Sequence, residues 1–98
     1  MYNKYGIIYN EMISKNPMDS PESTDVEKLR LAVIGELDAI NLYNQMATST
    51  KNKKVREVLL DISNEEKVHV GELQKLIDEL DPKNKEKREQ GATEVNEI

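Results

Sequence analysis

Apolar residues recur in steps of three and four along two long stretches of the chain, a spacing that places them on one face of an α-helix. The stripe in the first stretch contains Leu29, Val33, Glu36, Ile40, Tyr43 and Ala47. The stripe in the second stretch contains Val55, Leu59, Ile62, Glu66, His69, Leu73, Leu76 and Leu80. Each stripe predicts a helix that buries one side, and each carries ionisable residues near its middle, where such a helix normally buries apolar ones.

The start of the first helix is marked by the sequence TDVE at residues 24–27. These residues form a capping box, in which the Thr24 hydroxyl accepts from the backbone N–H of Glu27 and the Glu27 carboxylate reaches back. No proline or glycine pair follows before Thr50, so the first helix is predicted to continue to about that residue.

The polar sequence Ser49–Asn52 predicts a turn, and a second helix is predicted from about Lys53 to Leu80. Asp81 and Pro82 end this second helix, because proline cannot continue the helical hydrogen bonds. Two helices of this length are each about 40 Å long, and the short turn makes them an antiparallel hairpin. The predicted fold class is therefore all-α.

Three parts are predicted along the chain, of which the hairpin at residues 24–81 is the central one. Residues 1–23 contain three tyrosines followed by two prolines, and they are interpreted as a flexible leader or as a docking segment. Residues 82–98 are interpreted as a polar tail with a short helix around Lys83–Gln90 that is broken by Gly91.

The apolar surface of the first helix is wider than its stripe. The additional apolar residues are Leu31, Ile34, Leu37 and Leu42. A lone hairpin cannot cover all of this surface, so self-association is expected. Two hairpins that pair side by side make a ferritin-like four-helix bundle.

Glu66 and His69, the one histidine of the chain, lie three residues apart and share a helix face. Burial of a carboxylate and an imidazole is costly unless something compensates them, and a metal ion compensates both at once. Glu36 holds the matching place in the first stripe, since Glu36 and Glu66 are each about 16 Å of helix from the turn. The three side chains are therefore predicted to face one another at one level of the hairpin.

Three ligands bind one cation poorly, but two hairpins double the set. The pair would supply two single glutamates and two Glu-x-x-His sets, which is the ligand inventory of the di-iron carboxylate proteins. Carboxylate oxygens with one imidazole per metal suit iron or manganese. The sequence therefore predicts a di-iron site shared between two chains, with Glu36, Glu66 and His69 of each chain as metal ligands and catalytic residues.

Composition narrows the functions further. Charged residues make up 34% of the chain, the net charge is −5 and the pI is near 4.9, which argues against nucleic-acid binding. Zero cysteines exclude a disulfide, a thiolate zinc site and an iron–sulfur centre on this chain. No apolar run reaches membrane-spanning length and the start does not resemble a signal peptide, so a cytoplasmic location is expected.

The sequence LRLAVIGELDAINLYNQMA at residues 29–47, together with VREVLLDISNEEKVHVGELQKLIDELDP at residues 55–82, resembles the encapsulated ferritins. These are half-length ferritin-like proteins, and the chain is most similar to the archaeal type in which the ferritin-like domain is fused to an encapsulin shell protein. The resemblance covers about residues 29–98 and is clearest up to Pro82.

The spacing of Glu36, Glu66 and His69 agrees with the ferroxidase ligands of that family, and Tyr43 agrees with a tyrosine near its centre. The resemblance implies a symmetric homodimer with a ferroxidase site between subunits and assembly of dimers into a larger ring, such as a decamer. It also implies iron oxidation that feeds mineral storage inside an encapsulin nanocompartment in the cytoplasm.

Two features depart from the family pattern. Some members carry an acidic pair on the flank of the first helix for metal access, but here Asp38 matches one position and Gly35 stands at the other. Cargo proteins of the family usually end in a targeting peptide, and none follows Glu94. The chain is then a domain of a fusion, has a trimmed tail, or uses residues 1–16 for targeting.

Other interpretations stay open from the residues alone. Tyr43 is either a core aromatic whose hydroxyl meets a carboxylate or a residue that hydrogen-bonds a metal ligand. Glu36, Glu66 and His69 could form a metal-free polar layer that sets the register of a structural dimerisation module. A rubrerythrin-like peroxide-scavenging protein is a further alternative, and it would need an external electron donor because the chain lacks cysteine.

Overall fold

The structure is a computed structural model and describes residues 24–98. Three α-helices follow one another: α1 spans Asp25–Ser49, α2 spans Lys53–Leu80 and α3 spans Pro82–Asn96. This part of the chain contains no β-strand, which confirms the predicted all-α class, and none of its helices is long and apolar enough to cross a bilayer. The predicted leader lies outside the described residues.

The helices of the hairpin begin at side-chain caps. At the start of α1 the Thr24 hydroxyl accepts from the backbone N–H of Glu27 at 3.2 Å, as the capping box predicts. At the start of α2 the side-chain oxygen of Asn52 accepts from the N–H of Val55 at 3.1 Å. Each cap satisfies a backbone donor that the helix itself leaves without a partner, and the two caps confirm the predicted starts.

Arg56 ties the end of α1 to the start of α2. Its Nε donates to the carbonyl of Ala47 at 3.2 Å, and its Nη2 donates to the carbonyl of Thr50 at 2.8 Å. Carbonyls in the last turn of a helix lack intrahelical partners, so a guanidinium from the neighbouring helix satisfies them and complements the helix dipole. The three residues between the helices therefore form a compact connection.

The core of the hairpin is narrow. Its buried apolar side chains in the described residues are Leu31, Val33, Ala47 and Ile77. Ser63 is also buried, with 1% of its surface exposed. Because Ser63 and Ile77 are fourteen residues apart, four helical turns, they lie on one line of α2, beside the predicted stripe.

The predicted stripe of α2 is consequently only partly covered. Val55, Leu76 and Leu80 of this stripe are 44–53% exposed and Ile62 is half-buried, while Val58, a neighbour outside the predicted stripe, is 54% exposed. At 100° per residue these side chains and that of His69 fall within about 60° of arc on one side of the buried line. We call this surface the site flank; it consists of Val55, Val58, Ile62, His69, Leu76 and Leu80.

The prediction of a short terminal helix broken at Gly91 is wrong, because α3 continues through Gly91 to Asn96. A Cβ placed on Gly91 would meet nothing within 4 Å, so packing does not require a glycine there. A single glycine costs a helix about 1 kcal/mol, which does not end it. The Gln90 side chain bridges this position with a hydrogen bond of 3.1 Å to Glu94.

A polar cluster holds α3 against α2. The two carboxylate oxygens of Asp78 each accept from Arg88 at 2.7 Å, and Oδ1 also accepts from Asn84 at 2.9 Å. We call this cluster the clasp. The hydrogen bonds from Arg88 and Asn84 hold the pKa of the Asp78 carboxyl far below its usual range, and Asp78 raises the pKa of Arg88.

A second contact joins α1 to the start of α3. Arg30 on α1 lies 3.4 Å from the carboxylate of Asp81, the residue between α2 and α3. On the helical wheel of α2, Asp78 lies on the other side of the buried line from the site flank. The third helix therefore leaves the site flank uncovered.

Candidate metal centre

Three side chains converge at one level of the hairpin, as the two stripes predict. Glu36 comes from α1, while Glu66 and His69 come from α2. One ligand atom from each lies within 4.8 Å of the others. Within residues 24–98, these three side chains form the group that could hold a metal ion. The helical spacing and the equal distances from the turn are enough to explain the convergence.

The imidazole of His69 links the two carboxylates. Its Nδ1 lies 3.4 Å from Oε2 of Glu36 and 3.5 Å from Oε2 of Glu66. Contacts this long are weak hydrogen bonds, and they become ion pairs only when the ring is protonated. Because Nδ1 faces both carboxylates, it is the ring nitrogen that is positioned to share a cation with them.

Burial differs across the site. The side chains of Glu66 and Glu36 are 19% and 26% exposed, whereas that of His69 is 47% exposed. The carboxylates are therefore set between the helices, and the imidazole forms the outer edge on the site flank. This arrangement leaves the site open on the side that lacks a neighbouring helix.

A buried hydrogen bond that the stripes did not predict lies between the site and the turn. The Ser63 hydroxyl donates to the side-chain oxygen of Asn44 at 2.7 Å, across the interface of α1 and α2. Ser63 lies one turn before Glu66 on α2, and Asn44 follows Tyr43 on α1. Ser63 lies two heptads before Ile77, on the line of α2 that the helix buries. A serine at such a place is the signal in the sequence that could have predicted this contact.

The donor set fits a hard or borderline divalent cation. Metal–ligand bonds to carboxylate and imidazole are about 2.1 Å long, so two ligand atoms on one ion lie at most about 4.2 Å apart. The 3.4 and 3.5 Å separations at Nδ1 meet that requirement, and because all three ligand atoms lie within 4.8 Å of one another, a small rotation of the carboxylates would place them on one ion. Two carboxylates and one imidazole are the donors that iron and manganese accept, and they still leave coordination positions open.

Two other predicted residues lie near the site without joining it. Tyr43 is half-buried on α1, two turns after Glu36, and its hydroxyl has no hydrogen-bond partner among residues 24–98. Asp38 is half-buried and lies about 200° around α1 from Glu36, so it points away from the ligands. The incomplete acidic pair that it would form with Gly35 is not part of the cluster.

The comparisons with known proteins identify the family and the fold. A family model described as rubrerythrin matches residues 27–97. The crystal structure of an encapsulated ferritin domain from Pyrococcus furiosus superposes with a TM-score of 0.74 at 44% identity, over 85% of this chain and 91% of that one. The chain belongs to the rubrerythrin family, as an encapsulated ferritin. The two-helix hairpin is the part of this encapsulated ferritin that brings Glu36, Glu66 and His69 together.

Relatives of this encapsulated ferritin are longer than the chain itself. A ferritin-like–encapsulin shell fusion protein of Pyrococcus furiosus is 46% identical over 93 residues, which is 89% of this chain and 27% of that protein. The encapsulin nanocompartment cargo protein EncC of Myxococcus xanthus is 36% identical over 72% of this chain and 59% of its own length. The chain thus spans between a quarter and three-fifths of these relatives.

Proposed function

We propose that this encapsulated ferritin is a ferroxidase, which oxidises Fe(II) to Fe(III) at a di-iron site formed between two copies of the chain. The observation that carries the proposal is the convergence of Glu36, Glu66 and His69 within 4.8 Å. The donors suit iron, and the set is too small for one chain to hold two ions alone.

A second copy completes the ligand set. Two-fold pairing brings the same surface of each chain together, so the uncovered site flank would meet its own copy. Four exposed apolar side chains on that flank supply the hydrophobic contact, and the half-exposed His69 lies among them. The pair then offers four glutamates and two histidines from four helices, the arrangement of the di-iron carboxylate proteins.

The ferrous ions are the substrate, and the electron balance sets their number. Each Fe(II) gives up one electron, and dioxygen takes two electrons with two protons to become hydrogen peroxide. Two ions held side by side therefore complete one reaction together. The four carboxylates carry negative charge into a partly buried site, which favours the higher charge of Fe(III) over that of Fe(II).

Each residue has a role that its position allows. Glu36 and Glu66 would hold the ions from opposite helices. His69 would bind through Nδ1, the nitrogen that faces the carboxylates. Tyr43 lies on the same stripe as Glu36, where its hydroxyl can hydrogen-bond a ligand once two chains pair.

The oxidised iron is supplied to a mineral store outside the hairpin. A pocket at the open end of the hairpin has a volume of about 280 Å³, which is far too small for a mineral. The relatives include cargo proteins of encapsulin nanocompartments. We propose that this chain works inside an encapsulin shell in the cytoplasm, as dimers that assemble into a larger ring such as a decamer.

Anaerobic titration with Fe(II), followed by air, tests this function when the mass is measured throughout. The expected result is binding of one Fe(II) per chain, at least a doubling of mass, and a rapid rise of ferric absorbance on aeration. A chain that stays monomeric at saturating Fe(II), or that oxidises iron no faster than buffer, would contradict the shared site.

The rubrerythrin match favours one alternative, the reduction of peroxide. That activity needs electrons from a separate reductase, because the chain has no cysteine to carry a redox centre of its own. Stopped-flow mixing of the Fe(II)-loaded protein with dioxygen or with hydrogen peroxide separates the two functions. A ferroxidase reacts with dioxygen at a useful rate, whereas a peroxidase reacts with peroxide much faster and turns over only with added reductant.

A further inference from the structure

The buried Ser63 and the half-buried Asn44 form a polar contact that the proposed oxidation of iron does not use directly. Ser63 is 1% exposed, and its hydroxyl lies 2.7 Å from the side-chain oxygen of Asn44 on the other helix. Every buried side-chain oxygen and nitrogen atom in residues 24–98 has a hydrogen-bond partner, so this contact is satisfied rather than strained. A valine or alanine at the same place would bury equally well.

We propose that Ser63 and Asn44 are positioning residues, which fix the axial register of α1 against α2 and thereby bring Glu36 level with Glu66 and His69. The proposal rests on the proposed metal site, and it adds two residues that never touch the metal.

Apolar contacts alone specify this register weakly. Leucine, isoleucine and valine side chains of similar size can slide past one another along a helix pair at little cost, whereas a buried polar pair is satisfied in one alignment. A shift of one residue moves a side chain about 1.5 Å along the helix and turns it by about 100°. Either change is large against the 3.4 Å contact between Glu36 and His69.

The position of the contact suits this role. The turn fixes one end of the hairpin, where Arg56 reaches two carbonyls at the end of α1. The site lies about 16 Å of helix farther on. Ser63 lies one turn before Glu66 and Asn44 lies about two turns after Glu36, so the hydrogen bond sets the alignment between the turn and the ligands.

A variant with both polar groups replaced, Ser63→Ala/Asn44→Leu, tests the proposal without leaving a buried group unpaired. The matched control is Gln45→Leu/Asn64→Ala, which changes the neighbouring exposed residues in the same way. The two readouts are Mn(II) affinity by calorimetry and the distance between spin labels on Asn41→Cys and Lys67→Cys. The labels are specific because the chain has no native cysteine, and each labelled chain is diluted with unlabelled chain.

The expected result has two parts. The double variant keeps its helix content and melting temperature, but it binds Mn(II) about ten- to a hundredfold more weakly, as ligand-supporting groups do when removed. Its spin-label distance distribution shifts or broadens in the metal-free protein, whereas the control keeps both the wild-type affinity and the wild-type distance.

Each other outcome overturns the proposal. Unchanged Mn(II) affinity shows that the contact does not position the ligands, and a lost affinity with an unchanged distance distribution shows that register is not the cause. If the variant does not fold, the single variant Ser63→Ala is measured by the same two readouts. If the wild-type protein binds no metal, the proposed ferroxidase function is wrong. The proposal about register is tested separately, because an unchanged spin-label distance in the double variant would refute it.

Discussion

Two polar clusters join neighbouring helices, and their carboxylates are held in opposite ways. In the clasp, one carboxylate receives three short hydrogen bonds, two from Arg88 at 2.7 Å and one from Asn84 at 2.9 Å. In the metal centre, two carboxylates share a single imidazole nitrogen at 3.4 and 3.5 Å. Fixed donors thus saturate Asp78, whereas Glu36 and Glu66 keep oxygen lone pairs directed at a common point.

The difference teaches how a structural carboxylate can be told from a ligand. A bidentate pair with arginine supplies both charge and geometry from within the chain, so nothing more needs to bind. Two carboxylates held close together repel each other, and a single imidazole neutralises at most one of them and only when protonated. The candidate metal centre therefore has negative charge left over, which a bound cation would neutralise.

The largest effect is expected from removal of a ligand. Glu36→Ala or His69→Ala should slow Fe(II) oxidation by about a hundredfold or more, because loss of a group that positions the reacting centre costs at least this much. Stopped-flow absorbance of ferric iron measures the rate. Glu65→Ala, an exposed neighbour on the same helix, is the control and should keep the wild-type rate. Normal oxidation by either ligand variant would remove the site from consideration.

The next effect concerns the site flank. Leu76→Lys places an ammonium group in the proposed contact between copies, and its burial should weaken metal-dependent dimerisation by about tenfold or more. Val68→Lys is the matched control, because Val68 is 62% exposed and lies outside the site flank. Light scattering with and without Co(II) measures the mass. Equal dimerisation of the two variants would place the interface elsewhere.

Acid should disrupt the two clusters at different pH values. The pKa of Asp78 is held far below its ordinary value of about 3.9, so the clasp contributes to stability above that value and loses the contribution only as the pH falls through the lower folded-state pKa. Metal ligands must be deprotonated to bind, so acid releases metal from Glu36, Glu66 and His69. At about pH 4 the protein should lose its metal and keep α3 in place.

The measurement for this separation is equilibrium dialysis for the metal and amide NMR shifts for α3, recorded over the same pH series. Arg88→Met is the control, because it removes the cause of the lowered pKa and should free α3 at neutral pH. Loss of the α3 signals and of the metal at one common pH in the wild type would mean that the clusters are not independent.

The smallest effect is expected on metal affinity when the clasp is removed. Arg88→Met should speed hydrogen exchange throughout α3, yet change Mn(II) affinity by less than about twofold, as expected for sites that share no partners. Lys87→Met, on an exposed neighbouring residue, should leave both quantities unchanged. A large loss of Mn(II) affinity in Arg88→Met would show that α3 supports the metal centre through α2.

The stripes predicted the hairpin and the meeting of Glu36, Glu66 and His69, because both follow from the helical repeat and from equal distances to a turn. The same repeat could not predict how much of a stripe is buried. A helical wheel gives the direction of a side chain relative to the axis of its own helix. The rotation of α2 about its axis, relative to α1, decides which row of α2 side chains is buried. That rotation buries Ser63 and Ile77 and leaves Leu76 exposed.

The third helix shows where local rules mislead. The sequence predicts a break at Gly91, but a helix tolerates one glycine when side-chain pairs continue around it. Lys85 and Glu89 lie 3.9 Å apart before it, and Gln90 reaches Glu94 across it. The clasp could not be read from the sequence, since Asp78 and Arg88 meet only because the chain turns between them.

Asp81 is the residue at which the chain turns from α2 into α3, and we call it the elbow. Its N–H donates to the carbonyl of Ile77 at 2.8 Å, its own carbonyl accepts from Asn84 at 2.9 Å, and its carboxylate meets Arg30. Because α3 is about 22 Å long, a 10° change at this elbow would move the far end by about 4 Å. A substitution at Asp81 that changes this angle slightly would therefore displace Val95 and Ile98 by several ångströms. The conformation of Asp81 thus sets the direction in which α3 points.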